Sequence, residues 1–235
     1  MTILAIDTSC NACTAAIVAD DKLVAQVVVN NKRTHSEKLM PMIEAMFEAA
    51  EVSLSDVELI AVANGPGSFT GVRIGVATAQ GLAHSLGIPM VGISTLEALA
   101  ANLVEFNGIV CPMLNARREQ VYTGLFRWEN RELVQELEDC CLALTDLLDK
   151  MDGDENVIFL GDGIFEFRTE IEARLGERAK FAPPHLNMNL AGSVAFRALE
   201  YVRNGGEISV ENIVVPNYLR LSQAERELGE KLNEG

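Results

Sequence analysis

Residues 65–75 read Gly-Pro-Gly-Ser-Phe-Thr-Gly-Val-Arg-Ile-Gly, a glycine-rich loop that leads into a helical sequence. Residues 59–64 before it form a short apolar run typical of a buried strand, and Gly87 followed by Pro89 predicts that the helix ends near residue 86. A glycine-rich loop between a strand and a helix can present backbone N–H groups to an anion. The stretch matches neither the dinucleotide-binding fingerprint nor the P-loop pattern and has no lysine, so tight packing of the helix is the alternative.

The helix after this loop carries small residues at every fourth position, which are Gly71, Gly75, Ala79 and Ala83. Residues four apart share one face of a helix, and a face without side chains lets another backbone come close. The close contact is expected either within the chain or with a partner.

The helix expected over residues 34–51 has an unusually narrow polar stripe, with most of its other residues apolar. A helix on a sheet usually buries a single apolar stripe, so this pattern predicts that a second side is covered by a partner. The stripe consists of Glu37, Pro41, Glu44, Glu48 and Glu51. We therefore predict a partner interface made by the two helices through Leu39, Ile43, Met46, Phe47, Gly71, Gly75, Ala79 and Ala83.

The rest of the chain places strands first and then alternates helices with strands, which predicts an α/β fold of mixed sheets flanked by helices. In the first half, three strands are expected around a turn at Asp20 and Asp21. The second half repeats the pattern, with strands at 109–114, 121–128 and 157–160 and helices at 165–175 and 190–203. The predicted domains are residues 1–105 and 106–222, followed by a charged tail at 223–235.

Composition narrows the classes of function. With 19 Lys and Arg against 34 Asp and Glu, the formal net charge is −15, which argues against nucleic-acid binding by this chain alone. Neither a run of about 20 apolar residues nor a secretory signal is evident, so a cytoplasmic protein without a membrane span is expected. Five cysteines, two of them adjacent, suit reduced thiols.

Residues that could bind a metal or take part in catalysis are scattered along the sequence. Cys10 and Cys13 have the Cys-x-x-Cys spacing, but no second pair at comparable spacing would complete a zinc site. The three histidines are far apart, and no serine or cysteine lies in a nucleophile elbow. Asp7 ends the first strand at a turn that could approach a phosphate, yet that turn has no glycine, and Asp, Ser and Asn are ordinary turn residues. We predict no catalytic residue, bound metal or cofactor.

At residues 65–75 the chain is similar to the hallmark sequence of the TsaB family, also known as YeaZ. The resemblance runs nearly from end to end, with specific motifs in the first half and looser ones in the second. It includes residues 3–9, 35–41, 77–83, 115–122 and 216–220.

This resemblance implies two domains of the actin-like ATPase superfold and a place in the synthesis of threonylcarbamoyladenosine in tRNA. In that system TsaC makes threonylcarbamoyl-adenylate and TsaD transfers the threonylcarbamoyl group to tRNA. TsaB pairs with TsaD, and the small ATPase TsaE joins them. The implied role is a non-catalytic dimerisation subunit that forms a homodimer when alone and meets tRNA only through the complex.

One segment separates the chain from TsaD in this resemblance. TsaD proteins carry His-Met-Glu-Gly-His there, and the two histidines bind the metal; this chain has Thr95-Leu96-Glu97-Ala98-Leu99. Leucine cannot coordinate a metal, so the transferase reaction is not expected here. Two other classes remain as alternatives, an ATPase or kinase of the same superfold and a TsaD-like metallopeptidase. The altered turn after Asp7 counts against the first, and the missing histidine pair counts against the second.

Overall fold

The computed structural model describes residues 1–31 and 34–220. A first five-stranded sheet has the order β3-β2-β1-β4-β5, with β1 antiparallel to β2 and parallel to β4. Asp20 and Asp21 join β2 to β3 with φ values of 48° and 66°, the left-handed conformation that a tight hairpin turn requires. The strands are β1 (Thr2–Asp7), β2 (Cys13–Ala19), β3 (Lys22–Val29), β4 (Leu59–Ala63) and β5 (Met90–Ile93).

Three helices belong to this half, and each follows a strand. They are α1 (His35–Ala50), α2 (Phe69–Leu86) and α3 (Thr95–Ala100). Ser68 and Ser94 cap α2 and α3 by accepting hydrogen bonds from backbone N–H groups of the first turn. Gly87 ends α2 in the left-handed conformation, as the sequence predicted.

The second half builds another five-stranded sheet, in the order β10-β9-β6-β7-β8. Its elements are β6 (Ile109–Asn115), β7 (Gln120–Glu129), β8 (Glu132–Ala143), α4 (Leu144–Asp149), β9 (Val157–Leu160), α5 (Ile164–Leu175), β10 (Ala179–Phe181) and α6 (Ala191–Arg203). The sequence analysis had found β6, β7, β9, α5 and α6 but not β8, α4 or β10. The two mixed sheets flanked by helices confirm the predicted α/β class.

Successive side chains of β1 point to opposite faces of the first sheet, so the core of the first half has two layers. Leu4 and Ile6 face α1 and α2, whereas Ile3 and Ala5 face α6. The small residues of α6, among them Ala195 and Ala198, are fully buried against this first sheet. The helix α6, which lies within the range 106–222 predicted as the second domain, therefore packs against the sheet of the first half. The predicted tail at 223–235 lies outside the described residues.

Between the halves, α3 packs on the second sheet: Leu96 and Leu99 contact a cluster that includes Val110 and Phe126. Within residues 1–31 and 34–220, no helix combines the length and apolar character needed to cross a membrane.

Two glycines of α2 provide a test of how closely this helix packs against the end of β1. A Cβ on Gly71 would lie 2.1 Å from the backbone oxygen of Thr8, whereas a Cβ on Gly81 would meet no atom within 4 Å. We expect Gly71→Ala to lower the free energy of unfolding by about 2 kcal/mol or more, because backbone must move. Gly81→Ala is the matched control and should raise it by about 0.5 to 1 kcal/mol. Urea-unfolding midpoints measure both; a Gly71→Ala protein as stable as Gly81→Ala would contradict the packing.

Candidate functional site

A cleft of about 640 Å³ lies between the two halves. It is bordered by the turn after β1, the loop that leads into α2, the β6–β7 turn and the segment 217–220. Polar groups dominate its walls, including Asn11, Asn115, Arg117, Asp162 and Arg220. This is the place where the glycine-rich loop could have presented N–H groups to an anion.

The end of β1 is sealed away from the cleft. Asp7 and Thr8 have no exposed surface, and the Oδ1 atom of Asp7 accepts hydrogen bonds from the backbone N and the Oγ of Ser9 at 2.8 and 2.6 Å. Burial raises the pKa of Asp7, while the Ser9 hydrogen bonds lower it in part. The Nδ2 atom of Asn189 donates to the oxygen of Ala12 at 3.1 Å, and Oδ2 of Asp7 has no hydrogen-bond partner among the described residues. Asp7 therefore cannot touch a ligand in the cleft.

The glycines of the loop and of α2 serve close backbone contact. A Cβ on Gly67 would lie 2.4 Å from the oxygen of Ser9, and one on Gly75 would lie 2.5 Å from Oγ1 of Thr8. The backbone N of Ser68 donates to Ser9 O at 2.7 Å, and Thr8 Oγ1 donates to Gly71 O at 2.7 Å. Of the two interpretations of this stretch, tight packing accounts for these glycines, because the glycine face of α2 meets the turn after β1 of the same chain.

A segment near the end of the described chain ties the halves together across this loop. The backbone N of Asn217 donates to Asn64 O at 2.7 Å, and a Cβ on Gly65 would lie 2.6 Å from Asn217 O. The Tyr218 ring stacks on Phe69 at 4.3 Å between centroids, and its hydroxyl accepts a hydrogen bond from Arg73 Nε at 2.8 Å. Arg220 then donates to backbone oxygens of the β6–β7 turn. This segment covers the start of α2 on the cleft side.

Asp162 joins the opposite wall of the cleft to the first half. Its Oδ2 accepts from Asn11 Nδ2 at 3.1 Å, and its Oδ1 accepts from the backbone N of Asn115 at 3.0 Å. Burial raises the pKa of Asp162, and the Asn115 hydrogen bond lowers it in part. Since both carboxylate oxygens bind the protein itself, Asp162 holds the wall together.

The segment that the resemblance aligns with the metal-binding helix of TsaD is buried here. Thr95 begins α3 and Leu99 lies near its end, and Leu99 packs against the second sheet. Burial raises the pKa of Cys13 to about 11 and raises that of Cys10 well above its usual value, which disfavours the thiolates that a metal or a redox reaction would need. In the part of the chain that the structure describes, no three His, Cys, Asp or Glu side chains are grouped to hold a metal ion.

The eight predicted interface residues all lie inside the first half. Leu39, Ile43, Met46, Phe47, Gly71, Gly75, Ala79 and Ala83 are buried by contacts within the chain. A partner would instead meet the outer side of the same helices, where Met40 and Glu44 of α1 and Ala77 and Gly81 of α2 are exposed. The sequence analysis did not single out these exposed residues, although Ala77 and Gly81 also show the four-residue spacing of small side chains. Whether α1 and α2 bind a partner stays a prediction.

The raised pKa of Asp7 gives a pH test. A carboxyl group whose pKa is higher in the folded than in the unfolded protein stabilises the fold below its unfolded pKa, and this contribution is lost as pH rises through the folded pKa. Relative to the wild type, Asp7→Asn should therefore gain stability as pH rises from about 4 toward neutrality. Ser9→Ala removes the hydroxyl hydrogen bond that lowers this pKa and keeps the one from the backbone N, so it should enlarge the loss of stability. Thermal unfolding across this range measures both, and parallel pH profiles for all three proteins would contradict the burial of Asp7.

Comparison with known proteins agrees with this geometry. A family model for TsaD, tRNA N6-adenosine threonylcarbamoyltransferase, matches residues 22–228. Among solved structures, YeaZ from Pseudomonas aeruginosa has a TM-score of 0.76 at 27% sequence identity, over 93% of this chain and 99% of that one. A ROK hexokinase from Thermus thermophilus, 14% identical with a TM-score of 0.50 over 87% of this chain and all of its own, shares the fold alone. These likenesses confirm the predicted actin-like superfold.

A sequence relative extends over both halves. The tRNA threonylcarbamoyladenosine biosynthesis protein TsaB of Bacillus subtilis is 38% identical over 226 residues, which are 96% of this chain and 96% of that protein. With identity at this level over almost its whole length, the chain belongs to the TsaB family.

Proposed function

We propose that this chain takes part in the biosynthesis of threonylcarbamoyladenosine in tRNA as a non-catalytic subunit that holds TsaD, together with TsaE, in a competent arrangement. The observation that carries the proposal is the contrast between a cleft whose polar groups bind one another and a pair of helices with an open outer side. The participation in this biosynthesis is supported by the name of the Bacillus subtilis relative.

Absence of catalysis is supported by the groups that face the cleft. Asp7 has no exposed surface, and Asp162 spends both carboxylate oxygens on Asn11 and Asn115. A general acid or base must reach a substrate within hydrogen-bond distance, which the buried carboxyl group of Asp7 cannot do, and the carboxylate of Asp162 is already engaged in holding the cleft wall together. Leu99 stands where a TsaD-like metal site would need a ligand. These features also count against the kinase and metallopeptidase alternatives.

TsaD docking is assigned to the outer side of α1 and α2. Ala77 and Gly81 present little side chain on α2, so a helix of a partner can approach closely, and Met40 of α1 is 44% exposed. The net charge of −15 disfavours direct tRNA binding, so tRNA is expected to be held by other subunits.

Reconstituted tRNA modification tests the proposal. With TsaC, TsaD and TsaE present, multiple-turnover modification should require this chain. Ala77→Arg should abolish it at low protein concentration, because a charge held against an apolar partner costs several kcal/mol and about 1.4 kcal/mol already weakens binding tenfold. Raising the concentrations of this variant and TsaD should restore part of the activity, since the defect lies in binding.

Two controls make this experiment decisive. Circular dichroism should show that Ala77→Arg is folded, and the Asp7→Asn chain, once assembled with TsaD, should support near wild-type modification. Full multiple-turnover activity without the chain would refute the scaffold role, as would a fully assembled Asp7→Asn complex that is inactive.

A further inference from the structure

Two neighbouring arginines at the tip of the β6–β7 turn have free guanidinium groups. Within residues 1–31 and 34–220, Arg117 and Arg118 are exposed, and the guanidinium group of neither forms a hydrogen bond or an ion pair. Every other described arginine is engaged in this way. These are Arg73, Arg127, Arg131, Arg168, Arg174, Arg178, Arg197, Arg203 and Arg220. In a chain with 34 acidic residues, this turn keeps two cations available for an anion outside the chain.

The backbone of this turn has an uncommon conformation. Arg117, Arg118 and Glu119 have φ values of 62°, 55° and 57°, which lie in the left-handed region that residues with a Cβ seldom adopt. No other place in the described chain has three such residues in succession. A conformation of this kind persists only where the surrounding structure holds it, and it is found most often at functional sites.

Hydrogen bonds hold the turn in place. The backbone N of Arg117 donates to Oδ1 of Asn115 at 2.6 Å, and the backbone N of Gln120 donates to Arg117 O at 3.2 Å. The guanidinium group of Arg220, which comes from a distant part of the chain, donates to Ala116 O. The two free arginines therefore extend from a fixed backbone, and a ligand that binds them has less conformational entropy to overcome.

Acidic groups near the turn do not cancel its charge on the side of the cleft. Arg117 borders the cleft, whereas Glu119 borders a different groove beside α4. Asp162 accepts hydrogen bonds from Asn11 and from the backbone N of Asn115, so its carboxylate is engaged by the protein itself. An anion that approaches along the cleft therefore meets arginine first.

An exposed aromatic ring lies on the helix beside this turn. Asn115, which accepts from the turn, also donates through Nδ2 to the carboxylate of Glu166 in the first turn of α5. Phe165 precedes Glu166 and is 80% exposed, more than any other large hydrophobic side chain among the described residues. Proteins bind single-stranded nucleic acid with cationic groups on the phosphates and aromatic rings on the bases. An acidic protein surface would pair with the arginines but would give the ring no comparable role.

We propose that this corner of the second half contacts tRNA while TsaD holds it. The guanidinium groups of Arg117 and Arg118 bind backbone phosphates, and the ring of Phe165 stacks on an unpaired base. The contact rests on the proposed function, because that function brings tRNA to the complex. With a net charge of −15 the chain repels a polyanion over most of its surface, so this contact adds to the binding by TsaD and does not replace it.

The salt dependence of tRNA binding by the complex of this chain with TsaD tests the contact. Fluorescence anisotropy of a labelled tRNA transcript at several NaCl concentrations gives the slope of log Kd against log salt, to which each phosphate contact contributes roughly 0.7 to 0.9. The double variant Arg117→Gln/Arg118→Gln should lower this slope by about 1.5 and weaken binding several-fold at low salt. Arg117→Lys/Arg118→Lys keeps both charges and should keep most of the slope.

Two further variants separate the parts of this contact. Phe165→Ala should weaken tRNA binding about fivefold or more and leave the slope unchanged, because stacking releases no counterions. Arg131→Gln is the matched control: Arg131 is an exposed arginine with a φ of 70° at the β7–β8 turn, paired with Glu105 at 3.3 Å. It removes the same kind of charge elsewhere and should leave both slope and affinity unchanged. Since all of these positions are exposed, the variants should keep the wild-type circular dichroism.

Equal slopes for Arg117→Gln/Arg118→Gln and Arg131→Gln in the assembled complex would overturn the contact, as would unchanged tRNA affinity for Phe165→Ala. Loss of the complex with TsaD on removal of the two arginines, measured by sedimentation, would also overturn it and would assign them to an acidic protein surface. Failure of the proposed function gives a different result, since modification would then proceed without the chain. Equal slopes in a complex whose modification activity needs the chain refute the tRNA contact alone.

Discussion

The contact between the end of β1 and the glycine face of α2 determines the arrangement of the first half. Thr8 takes part with both its backbone and its side chain: its oxygen fills the space where Gly71 lacks a Cβ, and its hydroxyl donates to Gly71 O. Protein interiors are close-packed, so a helix that approaches a strand end this closely leaves no room for a ligand between them. The buried state of Asp7 follows from the same contact, because the turn at Ser9 closes over its carboxyl group.

This contact limits ligand binding at the cleft between the two halves. The cleft between two halves of the actin-like superfold is a natural place for a ligand, and this chain retains a cleft there. The groups that border it are nevertheless used for cohesion, with Asp162 bridging Asn11 and Asn115 and with Tyr218 stacked on Phe69. The outer sides of α1 and α2, where Met40 and Ala77 are exposed, are the surfaces on which the proposed scaffold role relies.

Sequence patterns predicted the fold class well where a local signal was strong. The apolar run before residue 65, the serine cap at Ser68 and the glycine at 87 defined β4 and α2 because each signal acts within a few residues. β8 was missed because it is a half-exposed edge strand rich in acidic residues, which lacks a clear alternation. The packing of α6 on the first sheet could not be read from sequence either, since it depends on contacts between residues more than 100 positions apart, such as Ala191 with Thr14.

For the site, the eight residues predicted for a partner interface are buried within the first half, and an interface on α1 and α2 stays a prediction. Small residues at Gly71 and Gly75 indicated a close contact, and the pattern alone could not distinguish β1 of the same chain from a partner. Hydrogen–deuterium exchange of the free chain and of its complex with TsaD tests the central claim most directly. We expect new protection on the outer side of α1 and α2 and unchanged exchange at residues 7–11 and 65–68; new protection confined to the cleft segments, with α1 and α2 unchanged, would contradict the account.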